Sequence, residues 1–455
     1  MSKKQVHLAA HFPGVNNTTV WSDPRSGSQT DFASFVHFAR TAERGLFDFL
    51  FLAEGLRLRE HRGQIHDLDV VGRPDTFTVL NAIAAVTTHL GLGGTINTTF
   101  NEPYELARQF ASLDHLSGGR AAWNLVTSSD AFTGENFRRG GFLRPEQRYE
   151  RAGEILAAAK ELWLSWADDA IADDRECGVF ARDVPVVEHR GEQFSFRGRF
   201  GVPRSPQGHP VLIQSGDSDQ GREFGAATAD AIFSRHSTIE AGQAFYRDIK
   251  GRLPRYGRTD RDLTILPAAT FILGDTEADA AERAEHVRRQ QVGPQTAIAF
   301  LEQVWGRDLS AYDPDGPLPD VDPDPDGVSI TRGRVRHEKD TLAVAKQWRE
   351  LAEDKGGLSI RELIVETTAR QSFVGTAKQV AAQIDEAVQA DASDGFILIP
   401  HLVPGGLDEF VETVIPELQD RGAYRTAYTG TTLRDHLGLA RPTSAHVPSP
   451  TARAS

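Results

Sequence analysis

The sequence predicts an α/β fold, a (β/α)8 TIM barrel with insertions. Two observations carry the prediction. Eight short apolar runs read as strands, at 6–10, 46–53, 90–96, 121–127, 210–214, 230–234, 263–273 and 395–399. Helical patterns lie between them, at 30–45, 76–91, 103–119, 146–163, 218–229 and 376–390. Most of the runs are nearly continuous in apolar residues, the pattern of parallel strands covered on both faces. Repeated strand–helix alternation then favours a closed barrel. A doubly wound open sheet is the competing fold.

The elements follow in order. "VHLAA" opens the chain as the first strand. "TDFASFVHFARTAERG" follows, with Thr30 or Asp31 as N-cap, apolar residues at helical spacing and Gly45 as a stop. The segments "TFTVLNAIAAVTTHLG" and "PYELARQFASLDHLSGG" repeat that form. Two stretches interrupt the alternation. Residues 166–209 are polar and punctuated by Gly and Pro, as in a hairpin-like insertion. Residues 275–345 hold a helix and then "YDPDGPLPDVDPDPDGVS", with six Asp and five Pro between Tyr312 and Asp326. That tract reads as an extended, solvated loop. Its "DPDPDG" core imitates the start of a calcium loop. The twelfth position is Gly333, where a bidentate Glu is needed, so calcium is rejected. The expected organisation is one barrel domain over 1–440 and a disordered tail over 441–455.

Composition narrows the function. The chain has 455 residues, 39% of them hydrophobic, enough for a large core. A net charge of −14 argues against general binding to nucleic acid or anionic membranes. Cys177 is the one cysteine, so no disulfide framework within the chain and no Cys-based metal site is expected. No run of about 18 apolar residues and no secretory leader is read, so a cytoplasmic location is expected.

The ends of the strands carry the chemistry. "SGGRAAWNLVTSSD" (117–130) opens as a turn, runs as a strand and finishes in small polar side chains. "TINTT" (95–99) ends the third strand in the same way, Glu54 follows the second, and "QSGDS" (214–218) follows the fifth. Strand ends meet turns, and turns favour Ser, Thr, Asn and Asp. Four neighbouring ends of this kind suggest a shared polar rim at the barrel's C-terminal mouth. In "SGDSDQGREFGAATADAIF", Ser218 or Asp219 can cap a helix whose free N–H groups suit a phosphate.

"LSGGRAAWNLVTS" (116–128) resembles a signature of the bacterial-luciferase-like flavin monooxygenases. The nearest branch holds nitrilotriacetate monooxygenase, pristinamycin synthase and dibenzothiophene-sulfone monooxygenase. "TINTTFNEPYELARQFASLDHLSGGR" resembles the family segment before that signature. "RYERAGE" (148–154), the 214–233 segment, "VGTAKQVAAQIDEAVQADASDGFILI" (374–399) and "VIPELQDRGAYRTAYTGTTLRDHLGLARP" (414–442) follow in family order. The resemblance implies an FMNH2-dependent monooxygenase of a two-component system. A separate flavin reductase would supply reduced FMN, O2 would add at the flavin C4a carbon, and a small organic substrate would be oxidised. A homo-oligomer, dimer or tetramer, is implied as well. Glu54, Thr95, Asn97, Ser128, Tyr149 and Ser218 would hold the cofactor, with Tyr149 and Ser218 toward its phosphate. Two positions depart from the family pattern. Glu54 stands where Asp is usual, and Pro145 stands where His is frequent.

Other residues suggest other chemistry. His7 and His11 are four apart on the first strand and face one side. They raise the alternative of a metal-dependent barrel hydrolase, but histidines of such sites usually lie two apart and need further ligands. His11 is the candidate catalytic residue, as proton donor at the flavin. "EHRGQIHDLD" (60–69) reads as a solvated loop beside the pocket. No Gly-x-Ser-x-Gly elbow and no Gly-x-Gly-x-x-Gly fingerprint is present. A deazaflavin-dependent oxidoreductase on the same barrel is the alternative among enzymes. A flavin-binding protein without catalysis is the alternative outside them. The 275–345 segment is the expected mobile cover.

Overall fold

The computed structural model describes residues 3–65, 71–127, 131–137, 145–327, 329–332, 340–369 and 371–443. Eight parallel strands close into a barrel. They are β1 (His7–His11), β2 (Phe49–Leu52), β3 (Gly91–Asn97), β4 (Ala121–Val126), β5 (Val211–Gln214), β6 (Ala231–Ser234), β7 (Thr264–Ala269) and β8 (Gly395–Leu398). Each pairs with the next in the chain, and β8 closes on β1 with Ala9 opposite Ile397. The open sheet is thereby excluded.

Alternate residues of each strand point into the barrel. Ala9, Phe49, Phe51, Ala122, Ile213, Leu266 and Ile397 form one buried cluster there, with Leu433, Leu437 and Leu439 of the C-terminal segment. The opposite faces are covered by helices. Among these are α1 (Phe32–Arg44), α2 (Thr76–Ala84), α3 (Pro103–Leu116), α4 (Pro145–Trp163), α5 (Asp219–Thr228) and α6 (Ile239–Arg252). Trp123 packs outward against Phe110 and Trp163, and its indole N–H donates to Ile96 O at 2.9 Å. Its large ring is thereby buried with its polar atom satisfied.

The run expected as one strand over 263–273 is split. Thr264–Ala269 belongs to the barrel, whereas Phe271–Leu273 leaves it and pairs in parallel with Phe373–Gly375. Thr270 makes the turn-out, because its N–H donates to Ser372 Oγ at 3.2 Å and its Oγ1 accepts from Ser372 N at 3.0 Å. A continuous apolar run does not reveal which of two partners each half will choose.

Within 166–209 lie two antiparallel hairpins, Ile171–Asp174 with Val179–Ala181 and Val187–Arg190 with Ser195–Gly198. Between β7 and β8 the chain builds a helical lobe. It comprises α7 (Glu277–Gln291), α8 (Pro294–Trp305), α9 (Thr341–Asp354) and α10 (Ile360–Thr368), and α11 (Ala377–Gln389) returns the chain to the barrel. The lobe has its own core around Leu301, Trp305, Ala345, Ile360 and Ile364.

The Asp/Pro tract is an irregular loop with Asp313, Asp315, Asp320, Asp322 and Asp326 exposed, as the sequence suggested, but one side of it is docked on the lobe. Leu309 is buried, and Tyr312 and Leu318 pack on the lobe core. Asp324 N–H donates to Trp305 O at 2.7 Å, Trp305 Nε1 donates to Val321 O at 2.8 Å, and Arg349 Nη2 donates to Val321 O at 2.9 Å. Proline removes backbone donors but leaves carbonyls, and those carbonyls accept from side chains on α8 and α9. Among the described residues no helix is long and apolar enough to cross a membrane. Residues 444–455, most of the expected tail, lie outside the described residues.

Candidate active site

β2 and β3 end side by side at the barrel mouth, which brings Glu54 to Asn97. The Asn97 N–H donates to Glu54 Oε2 at 3.1 Å, and Asn97 Nδ2 donates to Oε1 at 3.2 Å and Oε2 at 3.0 Å. Burial pushes the Glu54 carboxyl up to about 7, the Asn97 bonds oppose the rise, and the charge of Asp75 adds to it. One strand position earlier on the same face, Thr95 Oγ1 accepts from Asn124 Nδ2 at 2.9 Å. The other end of that amide, Asn124 Oδ1, is buried with no partner among the described residues.

His11 ends β1 with its edge toward Phe51, ring centres 5.4 Å apart. Both ring nitrogens are buried without partners among the described residues. Burial, followed by the charge of Arg73, pushes the imidazole down to about 3. The ring is therefore neutral near pH 7. It can offer an N–H hydrogen bond.

Arg73 is the functional-end residue that sequence reading missed. Its guanidinium donates to Ala53 O at 2.7 Å and to Pro13 O, tying the loops after β1 and β2. Burial lowers it to about 10. An Arg in a loop gives no sequence signal; only the fold shows that it is buried.

A second group forms where β5 meets α5. Ser218 takes the N-cap, and its Oγ accepts from Gly221 N at 3.1 Å. Gly216 N–H donates to Gln214 Oε1 at 2.8 Å. A Cβ on Gly216 would lie 2.5 Å from Tyr149 Oη, and one on Gly221 2.7 Å from it. Gly221 is further closed off by the backbone of Gly216, 2.8 Å from such a Cβ, whereas the atoms nearest Gly216 are side-chain ends. Ser128 lies outside the described residues, and so does the side chain of Pro145.

His7 belongs elsewhere. It lies at the opposite end of β1, 3.2 Å from Asp48 Oδ2. Among the described residues no group of three His, Cys, Asp or Glu gathers as a metal site. The loop after β2, expected to be solvated, is docked at Glu60–Arg62 while Gly63, Gln64 and Ile65 are exposed. Glu60–His61 pairs with Gln64–Ile65 and with Thr331–Arg332, and His61 Nε2 lies 3.0 Å from the buried Glu302 of α8. Arg62 pairs with the same glutamate and with Asp308. Residues 66–69 lie outside the described residues.

The family model for luciferase-like monooxygenases matches residues 15–394. The chain belongs to that family. It is 40% identical over 452 residues to dibenzothiophene-sulfone monooxygenase of Rhodococcus erythropolis (strain XP), covering 97% of this chain and 98% of that one. It is 39% identical over 427 residues to nitrilotriacetate monooxygenase component A of Aminobacter aminovorans, 91% of each chain. The crystal structure of a riboflavin lyase with modified FMN and riboflavin aligns with a TM-score of 0.79 at 28% identity, covering 98% of this chain and all of that one. Luciferase-like monooxygenases of this branch are flavin-dependent enzymes.

Proposed function

We propose that this chain is the oxygenase of a two-component system. It takes reduced FMN from a separate reductase and uses O2, activated at the flavin C4a position, to oxidise a small organic substrate. The unpartnered polar atoms at the mouth are the observation that carries the reading. A buried amide oxygen and a neutral imidazole without partners suit the hydrogen-bonding edge of a bound ring. The start of α5 suits a terminal phosphate, whose oxygens would meet the first backbone N–H groups of the helix and Tyr149 Oη.

Reduced FMN supplies the electrons for oxygen activation when it is bound. The chain's own residues orient, shield and move protons. Asn124 and Thr95 orient the ring edge. Glu54, with its carboxyl near 7, holds or releases a proton at working pH, as a general acid should. His11 donates a hydrogen bond as neutral imidazole. The loop after β2, tied to the lobe through His61, Arg62 and Glu302, would help to exclude water.

The test is turnover with a generic flavin reductase, NADH, FMN and O2. Without substrate, reduced flavin should reoxidise to hydrogen peroxide. With an accepted substrate from a panel of amines, sulfones and thioethers, peroxide should fall as oxygenated product appears. Peroxide yield that no panel member changes, combined with no tight flavin binding, would count against the reading.

A further inference from the structure

We propose that a cavity on the barrel flank is a second small-molecule site, suited to a neutral or cationic organic ligand with an aromatic-sized apolar face. The cavity, about 340 Å³, lies between α6 and α11 against β7 and β8. It shares no residue with the candidate flavin site, and the proposal does not rest on the flavin reading.

The support is an unsatisfied hydroxyl. Ser393, just before β8, is 1% exposed and lines the cavity, yet its Oγ has no hydrogen-bond partner among the described residues. Buried hydroxyls without partners are rare, because water has been removed and nothing has replaced it. His236, after β6, lies beside Ser393 on the lining, with Nδ1 3.3 Å from Ser234 Oγ and the ring hydrogen-bonded to the Ala392 backbone. Burial lowers the imidazole below its usual range, so it contributes hydrogen-bonding capacity rather than charge.

The walls define the apolar part. Phe373 and Phe396 are buried edge to face, ring centres 5.0 Å apart. Ala268 and Ala387 leave room that larger side chains would fill. The volume lies at the lower end of the range for ligand pockets, roughly 300–1,000 Å³. Charge sets the ligand class. Among the described residues Glu386 is the one carboxylate on the lining, and no Lys or Arg among them lines it. An anion would meet like charge with no cation to offset it.

Isothermal titration of the full chain with benzylamine, benzamide and benzoate, three probes of one size and three charges, tests the site. Benzylamine and benzamide should bind saturably, with benzoate about tenfold weaker or worse, the effect of like charge across the site. Ala387→Phe should fill the cavity and remove binding of both. Glu386→Gln, at an exposed position that folding tolerates, should shrink the preference for benzylamine over benzoate at least about threefold. Flavin affinity should stay unchanged in both variants. The proposal is overturned if no probe saturates, if benzoate binds as well as benzylamine, or if Glu386→Gln leaves the preference intact.

Discussion

Two carboxylates frame β2, and they live in opposite conditions. Asp48 precedes the strand at the closed end of the barrel. It accepts from Leu8 N at 2.9 Å and pairs with Arg425 and His7. Its burial opposes ionisation, but the charges of Arg425 and His7 hold it below the usual carboxylate range. Glu54 follows the strand at the open end. Among the described residues it accepts hydrogen bonds only from Asn97, and burial pushes it up to about 7. The same division separates the two histidines of β1. His7 is spent on Asp48, whereas His11 has both nitrogens unpartnered among the described residues. One end of the barrel has its acid compensated by cations. The other keeps an acid that can trade protons and polar atoms that await a partner.

The largest effect should come from breaking the compensated end. Asp48→Asn leaves the part-buried Arg425 facing an uncharged group, and should cost about 3–5 kcal/mol in urea unfolding. Because the folded pKa of Asp48 is depressed, its stabilisation is present above its unfolded pKa and lost as pH falls through the folded one. Wild type and variant should therefore converge in acid. A loss under about 1 kcal/mol would show that the pair contributes no more than a surface bridge.

Glu54→Gln should leave a folded, flavin-competent protein. It should raise the peroxide released per reduced flavin and lower productive turnover on the order of 100-fold, the scale of a lost general acid. Its stability should respond with the opposite sign to Asp48. The folded pKa of Glu54 is raised, so its contribution is full below the unfolded value near 4.5 and lost as pH rises through about 7. Wild type should thus lose stability between these limits, and the Gln variant should not. Glu54→Asp keeps the charge and separates charge from shape. If neither variant changes coupling, Glu54 is an ordinary strand-end carboxylate.

Smaller effects test the α5 start. Gly216→Val would press a Cβ toward Tyr149 Oη and should cost about 1–3 kcal/mol by overpacking, with weaker FMN binding. Ser218→Ala removes a cap and should cost about 1 kcal/mol of stability. A drop in FMN affinity from Ser218→Ala beyond a net hydrogen bond, roughly 0.5–1.5 kcal/mol, would mean that the hydroxyl does more than cap.

Strand order and the polar rim were legible because both depend on local pattern: continuous apolar runs that stop in Asn, Thr and Glu. Partners distant in sequence were not. Nothing in "LTILPAATFIL" tells that Thr270 will turn toward Ser372, 102 residues on. Nothing in the Asp/Pro tract tells that its carbonyls will meet Trp305 and Arg349. The His7/His11 spacing was read correctly as one face, but their fates diverge because Asp48 and Arg425 reach only the lower ring. The pKa of Glu54 was likewise hidden, since burial is a property of the assembled mouth.

The most direct measurement is an anaerobic titration with reduced FMN and reduced FAD, applied to wild type, Gly216→Val and Asp48→Asn under conditions where each is folded. The account predicts saturable FMN binding that is much tighter than FAD, weakened about tenfold in Gly216→Val, as steric crowding of a phosphate cradle would do, and unchanged in Asp48→Asn. Equal affinity for FAD, no saturation by either flavin, or loss in the Asp48 variant with none in the Gly216 variant would place the cofactor somewhere other than the open end of the barrel.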